Sequence, residues 1–136
     1  SSRMVFIRVL VGLLALFAIT DACSCRQSTS EDIFCLSQFV SKVRVNQATV
    51  KPLRLVYTVE HLEIFKQAIQ PENSSLLPSK ISTPAQSATC GVRLTVGKDV
   101  LLAGDFERGR LSINSCAMID PEFDTTKFDG IDCSES

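Results

Sequence analysis

Cys23 and Cys25, separated by one serine, carry most of the chemical information in this 136-residue chain. Residues two apart on an extended strand point the same way, and a bridge between them would be strained. The two are therefore expected to take different partners. A chain end is ordinarily the loosest part of a domain; one stapled twice within three residues is not. If Cys23 opens the processed chain, its α-amine is held in place, and with a pKa of about 7.7–8.0 it keeps a usable neutral fraction at physiological pH. Amine nitrogen and first carbonyl oxygen can close a chelate ring on zinc. A catalytic zinc keeps one coordination position open for water or substrate, and a protein end filling it would displace the nucleophilic water. The plainer reading is that the bridges only tie down a terminus, and spacing alone favours it.

The segment before Cys23 has its own pattern. Val9 to Ile19 is an apolar run led by Arg3 and Arg8, and it closes on Thr20-Asp21-Ala22. The run is too short for a bilayer span, which needs about twenty residues, and its charged start and small-residue end are those of a secretory leader. Residues 1–22 are thus expected to be a signal peptide, with residues 1–3 upstream of an initiating Met4, and residues 23–136 a single domain. The leader holds two of the 14 basic and one of the 15 acidic residues, so residues 23–136 carry a net charge of −2. All six cysteines lie in that part. An exported domain with an even cysteine count reads as a disulfide framework, secreted and extracellular.

Composition excludes several functions. The charge balance lacks the basic excess of a nucleic-acid binder. His61 is the only histidine, so no catalytic or metal site requiring two is available, and His61 is expected to be a packing or surface residue. No cofactor of the protein's own is expected: Cys-x-Cys as a resident metal site lacks a second pair of ligands. A lipid-modified Cys23 would leave an odd five cysteines, and Asp21 does not suit a lipidation box. Neither an enzyme nor a membrane protein is expected once the leader is gone, and a monomer is.

The elements that must position the cysteines are mostly strands. Thr29 to Leu36 opens as a short helix, with a hydroxyl cap and two acids in the first turn. Phe39, Val43 and Val45 alternate with Lys42 and Arg44 as a half-buried strand, and Asn46-Gln47-Ala48 reads as a turn. The next strand starts at Leu53; past His61 its apolar phase slips by one, which suggests a bulge. Gln70 to Gln86 reads as a surface loop carrying the glycosylation sequon at Asn73. Further strands are expected at Gly91–Val96, Val100–Ala103 and Arg110–Ile119, with turns at 97–99 and 104–109 and a short helix near Pro121–Asp129. Five strands with short helices predict a mainly β fold, a small closed OB-like barrel. Lys42, Arg44, Lys51 and Arg54 could form a heparan-sulfate patch, against the plainer reading of a solvated strand face.

The cysteine order, with Phe34-Cys35, Cys90-Gly91, Cys116 and Cys133 following Cys23-Ser24-Cys25, resembles the inhibitory netrin-like domain of the tissue inhibitors of metalloproteinases. Tyr57-Thr58-Val59-Glu60 continuing to Ile64-Phe65-Lys66, Leu101-Leu102-Ala103-Gly104, and Gly109 to Cys116 are similar to that family's strands. The resemblance covers Cys23 to Cys133 and implies the pairs Cys23–Cys90, Cys25–Cys116 and Cys35–Cys133, where six cysteines alone leave the pairing open. It also implies inhibition of matrix metalloproteinases or related zinc endopeptidases. Cys23 would chelate the enzyme's zinc through its amine and carbonyl, and Ser24 would enter the main specificity pocket. Cys25, Arg26 and Gln27 would lie along the cleft, flanked by Ala88, Thr89 and Cys90.

Four departures stand out. Arg26-Gln27 occupies a stretch where members usually carry proline. The turn between the first two strands looks short. Phe123 stands near Pro121 where the family has tryptophan, and the sequence stops three residues after Cys133, so the family's second cysteine-rich subdomain is not expected in it. The alternative is a netrin-like binding module with the same barrel and no inhibitory action, binding matrix, heparan sulfate or a receptor ligand. The position of Cys23 directly after the expected cleavage site separates the two.

Overall fold

The computed structural model describes residues 2–17, 23–68 and 77–133. Helix α1 spans Ser2–Phe17 and α2 spans Ser30–Leu36. Five strands follow: β1 Phe39–Lys51, β2 Arg54–Gln67, β3 Lys80–Pro84, β4 Asp99–Glu107 and β5 Arg110–Ser112. They hydrogen-bond in the order β1-β2-β3-β5-β4, with β4 returning to β1, and so close a barrel. All pairings are antiparallel except β3 with β5. A closed five-stranded barrel with short helices is the expected architecture, and closure leaves no open sheet edge. Among the described residues no helix is long and apolar enough to cross a membrane.

The α2 start is built as its sequence suggests. The Thr29 hydroxyl accepts from the Asp32 N–H, and the Asp32 carboxylate accepts from the Thr29 N–H, a reciprocal capping box. At its other end, Lys66 from β2 donates to the carbonyls of Phe34 and Cys35 at 2.7 and 3.0 Å. A cation on the last carbonyls of a helix complements its dipole; partial burial holds this ammonium's pKa below its ordinary value.

Several strand boundaries differ from the sequence expectation. Asn46 is no turn: Val45 pairs with Val59 and Gln47 with Thr58, so Asn46 is an extra residue inside β1, and the hairpin turns at Pro52-Leu53 instead. The slip past His61 is a bulge, because Lys42 faces Glu63 while Val43 faces His61, leaving Leu62 unopposed; a second lies at Phe65. Lys80–Pro84, within the expected loop, is β3. Gly91–Val96 is not a strand despite its alternation. Its Val92 N–H donates to the Thr83 hydroxyl, and the Tyr57 hydroxyl donates to the Val92 carbonyl and accepts from the Leu94 N–H. Side chains thus satisfy backbone groups that a ladder would otherwise use.

Gly104 is likewise inside β4, not in a turn, and a Cβ there would run into the Ser112 carbonyl across the β4–β5 pair. The turn proper is Arg108-Gly109. β5 ends at Ser112, so the rest of Arg110–Ile119 is irregular around a 3-10 helix at Ser115–Ala117. The expected C-terminal helix is a 3-10 helix at Thr125–Gly130.

Two apolar clusters hold this arrangement. Inside the barrel lie Phe39, Val43, Val45, Tyr57, Ile81 and Leu102 with their neighbours. Outside it, α2 and the C-terminal segment pack through Ile33, Phe34, Val40, Ile119 and Phe128. Phe128 is the centre of the second cluster: its ring stacks on Phe34 at 4.7 Å and meets Phe123 and Phe65 at 5.0 and 5.1 Å. Phe123 thereby supplies aromatic surface where the resemblance leads one to expect tryptophan.

Asp124 caps the helix that carries Phe128. Hydrogen bonds from the Thr126 hydroxyl and N–H hold its carboxylate pKa below the ordinary value. A depressed carboxylate contributes stability that is full above its unfolded pKa and is lost as pH falls through the folded one. Acid titration of the urea midpoint should therefore show a steeper loss for the native chain than for Asp124→Asn; parallel acid limbs would remove Asp124 from the account.

Candidate functional site

The cysteine pairing places the Cys23–Gln27 segment on two loops. Cys23 bridges Cys90 with a Cα separation of 5.2 Å, Cys25 bridges Cys116 at 5.3 Å, and Cys35 bridges Cys133 at 5.3 Å. The closed stretches span 67, 91 and 98 positions. Each restricts the unfolded chain by about 4–5 kcal/mol in the chain-entropy account. The first two bridges touch: Cys90 Sγ lies 3.7 Å from Cys116 Sγ. The sulfurs of Cys23, Cys25, Cys90 and Cys116 all lie within 4.8 Å of one another, but every one is oxidised, so none is a thiolate metal ligand.

Each receiving loop is built locally. β3 leads through Pro84 into a 3-10 turn at Ser87–Thr89. There the Gln86 carbonyl accepts from the N–H groups of Thr89 and Gly91 and from the Thr89 hydroxyl. Cys90 turns the chain with φ +67°, a left-handed conformation that costs a non-glycine residue roughly 1–2 kcal/mol. Gly91 must follow it without a side chain, since a Cβ would run into the Pro84 carbonyl and lie 2.8 Å from that of Gln86. On the other loop, the Asn114 side chain accepts from the Cys116 N–H at 2.9 Å. The Ser115 N–H donates to the Cys90 carbonyl at 2.9 Å and joins the two loops. The Ser115 hydroxyl lies 3.5 Å from Cys23 Sγ and is the donor of that pair, since the bridged sulfur carries no proton.

On this base, Ser24, Cys25, Arg26 and Gln27 are exposed, Cys23 and Ala88 are half-buried, and Thr89 is exposed. The Cys23–Cys90 bridge joins the two expected segments, 23–27 and 88–90, into one largely exposed ridge. Asn114, Ser115, Gln86 and Gly91 brace the two loops and were not expected as site residues from sequence. Asn114 two residues before Cys116 is a legible turn signal; the others become visible only through long-range pairing.

The remaining candidates lie elsewhere. The His61 ring donates from Nε2 to the Pro78 carbonyl at 2.8 Å, and its Nδ1 is 2.8 Å from the buried Ser41 hydroxyl. It is engaged in packing β1 and β2 together. Of the four candidate patch cations, Lys42, Arg44, Lys51 and Arg54, Lys42 registers opposite Glu63 and Arg44 opposite Glu60, and Arg44 pairs with Asp99 at 3.0 Å. That pair raises the Arg44 pKa. Lys51 and Arg54 face one another at the hairpin end. Asn73 lies outside the described residues.

The site is thus a closed, disulfide-framed barrel whose Cys23–Gln27 segment is tied to two loops by neighbouring bridges. The Tissue inhibitor of metalloproteinase family model matches residues 21–130, and this chain belongs to that family, whose named members are inhibitors and not enzymes. It is similar to the Caenorhabditis elegans protein tag-225, 37% identical over 109 residues, covering 72% of this chain and 67% of that protein. It is similar to the Drosophila melanogaster Tissue inhibitor of metalloproteinase, 34% identical over 98 residues, covering 68% and 46%. Human Metalloproteinase inhibitor 2 is 31% identical over 131 residues, covering 85% and 57%. The chain thus spans about half the length of the fly and human relatives.

Gly91→Ala tests how the ridge is seated. Forcing backbone apart around Pro84 and Gln86 should lower stability by about 1–3 kcal/mol. Peptide mapping should also show a smaller fraction of molecules with the Cys23–Cys90 bridge. A native urea midpoint with full pairing would show that the loop accepts a side chain there.

Proposed function

We propose that this protein is a secreted inhibitor of zinc metalloendopeptidases of the matrix metalloproteinase type, acting through the Cys23–Gln27 ridge. One observation carries the reading: Cys23 and Cys25 are each bridged to a separate loop, so the chain from Cys23 onward is fixed and exposed before any enzyme arrives. Removal of residues 1–22 as a leader creates an α-amine on a residue that is already immobilised. The Cys23 amine and carbonyl oxygen then chelate the zinc of the target enzyme and occupy the position its water needs. Ser24 enters the main specificity pocket. Cys25, Arg26 and Gln27 lie along the cleft as a substrate would, with Ala88, Thr89 and Cys90 alongside. Zinc belongs to the enzyme; this chain supplies ligands for it.

Holding the ridge in its bound shape reduces the ordering cost of association. Arg26-Gln27 gives up the stiffness of a proline at that point, and the Cys25–Cys116 bridge immediately before it compensates. The same barrel could serve a netrin-like module with no inhibitory action, and the processed N-terminus distinguishes the two.

N-terminal sequencing of the secreted product should begin at Cys23, and that product should inhibit a zinc endopeptidase. A form retaining Ala22, or acetylated on Cys23, should inhibit at least about a hundredfold less while keeping its three bridges, because a blocked amine cannot donate to zinc. Equal inhibition by the native and extended forms would refute chelation. Ser24→Gly should weaken inhibition by about tenfold and redistribute it among enzymes of different pocket depth, since an unfilled pocket forfeits about 1–3 kcal/mol. An unchanged selectivity profile would remove Ser24 from the pocket.

A further inference from the structure

A cavity of about 660 Å³ opens between β2, β3 and the β4–β5 turn, and three arginines, Arg54, Arg108 and Arg110, line it together with Ser82, Ser112 and Glu107. The three cations arrive from different places. Arg54 is the first residue of β2, Arg110 the first of β5, and Arg108 occupies the turn with φ +53°. Most notable is what they lack. Arg44 is paired with Asp99, Lys66 with two carbonyls and Lys80 with the Thr58 hydroxyl. Among the described residues, Arg54, Arg108 and Arg110 make no ion pair and no side-chain hydrogen bond, and Glu107 lies beyond ion-pair distance of all three. Three guanidinium groups against the single carboxylate of Glu107, which registers opposite Arg110, leave the lining net positive, and an anionic group placed there is favoured.

The cavity is also close to the ridge. Arg54 registers with Pro84, whose carbonyl packs against Gly91 beside Cys90. Ser82 and Ser112 are partners in the parallel β3–β5 pair, and both strands run on toward the bridged loops. Two residues, Ile113 and Asn114, separate Ser112 from Ser115, no more than about 10 Å of extended backbone. The Arg54 end of the cavity is therefore next to the loop that carries Cys90.

We propose that Arg54, Arg108 and Arg110 form an anion subsite that receives a carboxylate-bearing segment on the rim of the target protease's cleft. The proposal rests on the inhibitory reading above. A guanidinium fork pairs with a carboxylate through two parallel hydrogen bonds, which a lysine in the same place would not offer. A long sulfated polysaccharide fits less well: Glu107 in the lining and Asp105 two residues earlier on β4 oppose a uniform polyanion running past the cavity, whereas a protease rim brings its charge only locally. Rim charges of this kind act mainly on the encounter rate and on which partner is accepted.

Two measurements on the secreted chain and its Arg54→Gln/Arg108→Gln/Arg110→Gln variant test this. The first titrates a fluorescein-labelled hexaglutamate peptide. The native protein should bind it saturably and the variant at least about tenfold more weakly; equal binding overturns the subsite. The second follows association with a zinc endopeptidase whose cleft rim carries carboxylates, across a salt series. The variant should associate about tenfold more slowly at low salt and with a shallower salt dependence; an unchanged rate and slope overturn the placement on the protease. Lys127→Gln, which removes a charge outside the cavity, should change neither. If the native protein binds the peptide through the arginines but does not inhibit the enzyme, the inhibitory reading falls and the arginine subsite stands. A heparin tetrasaccharide that displaces the peptide at lower concentration than hexaglutamate itself would overturn the assignment to an acidic protein segment. Native disulfide mapping verifies that the variant is folded, and Arg108→Gln alone, in an exposed turn, replaces it otherwise with the same expected direction.

Discussion

Two touching disulfides govern how this molecule can work. The segment from Cys23 to Thr29 has no regular secondary structure, and most of it is exposed. Hydrogen bonding and burial alone would leave such a segment mobile, since neither ladder nor apolar contact fixes it. What holds it is covalent: Cys23 to the loop after β3, Cys25 to the loop after β5, with the sulfurs of Cys90 and Cys116 3.7 Å apart. The loops are themselves joined, through the Ser115 N–H and the Cys90 carbonyl. Pairing β3 with β5 in parallel brings their exits to the same end of the barrel, and this is the topological reason that one ridge can be stapled at two neighbouring points.

The barrel and the C-terminal segment serve that geometry from behind. α2 begins five residues after Cys25, at Ser30, and it is fixed by its capping box at one end and by Lys66 at the other. Its apolar face, Ile33 and Phe34, packs on Phe128 and Ile119 outside the barrel. The Cys35–Cys133 bridge then ties α2 to the end of the described chain. The ridge is therefore restrained from both directions: by its bridges to the loops, and by a helix that cannot swing away.

Much of this was legible in sequence wherever a local rule operated. Thr29 and Asp32 spell a cap, the slip after His61 marks the Leu62 bulge, and Cys-Ser-Cys requires two separate partners. Legibility failed where long-range pairing overrode the local pattern. Lys80–Pro84 holds a serine and a proline and one large apolar residue, Ile81, yet it is a strand because β2 and β5 supply partners on both sides. Gly91–Val96 alternates as a strand should, but hydroxyls of Tyr57 and Thr83 take its backbone groups. Asn46 looked like a turn because asparagine favours one; inside β1 it is an extra residue that bends the strand around the barrel. At the ridge, the cysteines and their neighbours were visible, while the left-handed turn at Cys90 and the contact that demands glycine at position 91 depend on Pro84 and Gln86, which no spacing rule connects to them.

Separating the ridge from the core has a consequence for where such a protein can operate. None of Cys23, Cys25, Cys90 and Cys116 belongs to either apolar cluster. Breaking their bridges would leave the barrel interior and the Phe128 cluster with all their contacts, yet it would release the one segment whose fixed shape matters for binding. A hydrophobically held ridge would survive in a reducing compartment; this one would not. The design suits an oxidising environment, and the two bridges act twice: they restrict the unfolded chain and so support the fold, and they fix an exposed segment that core packing does not reach.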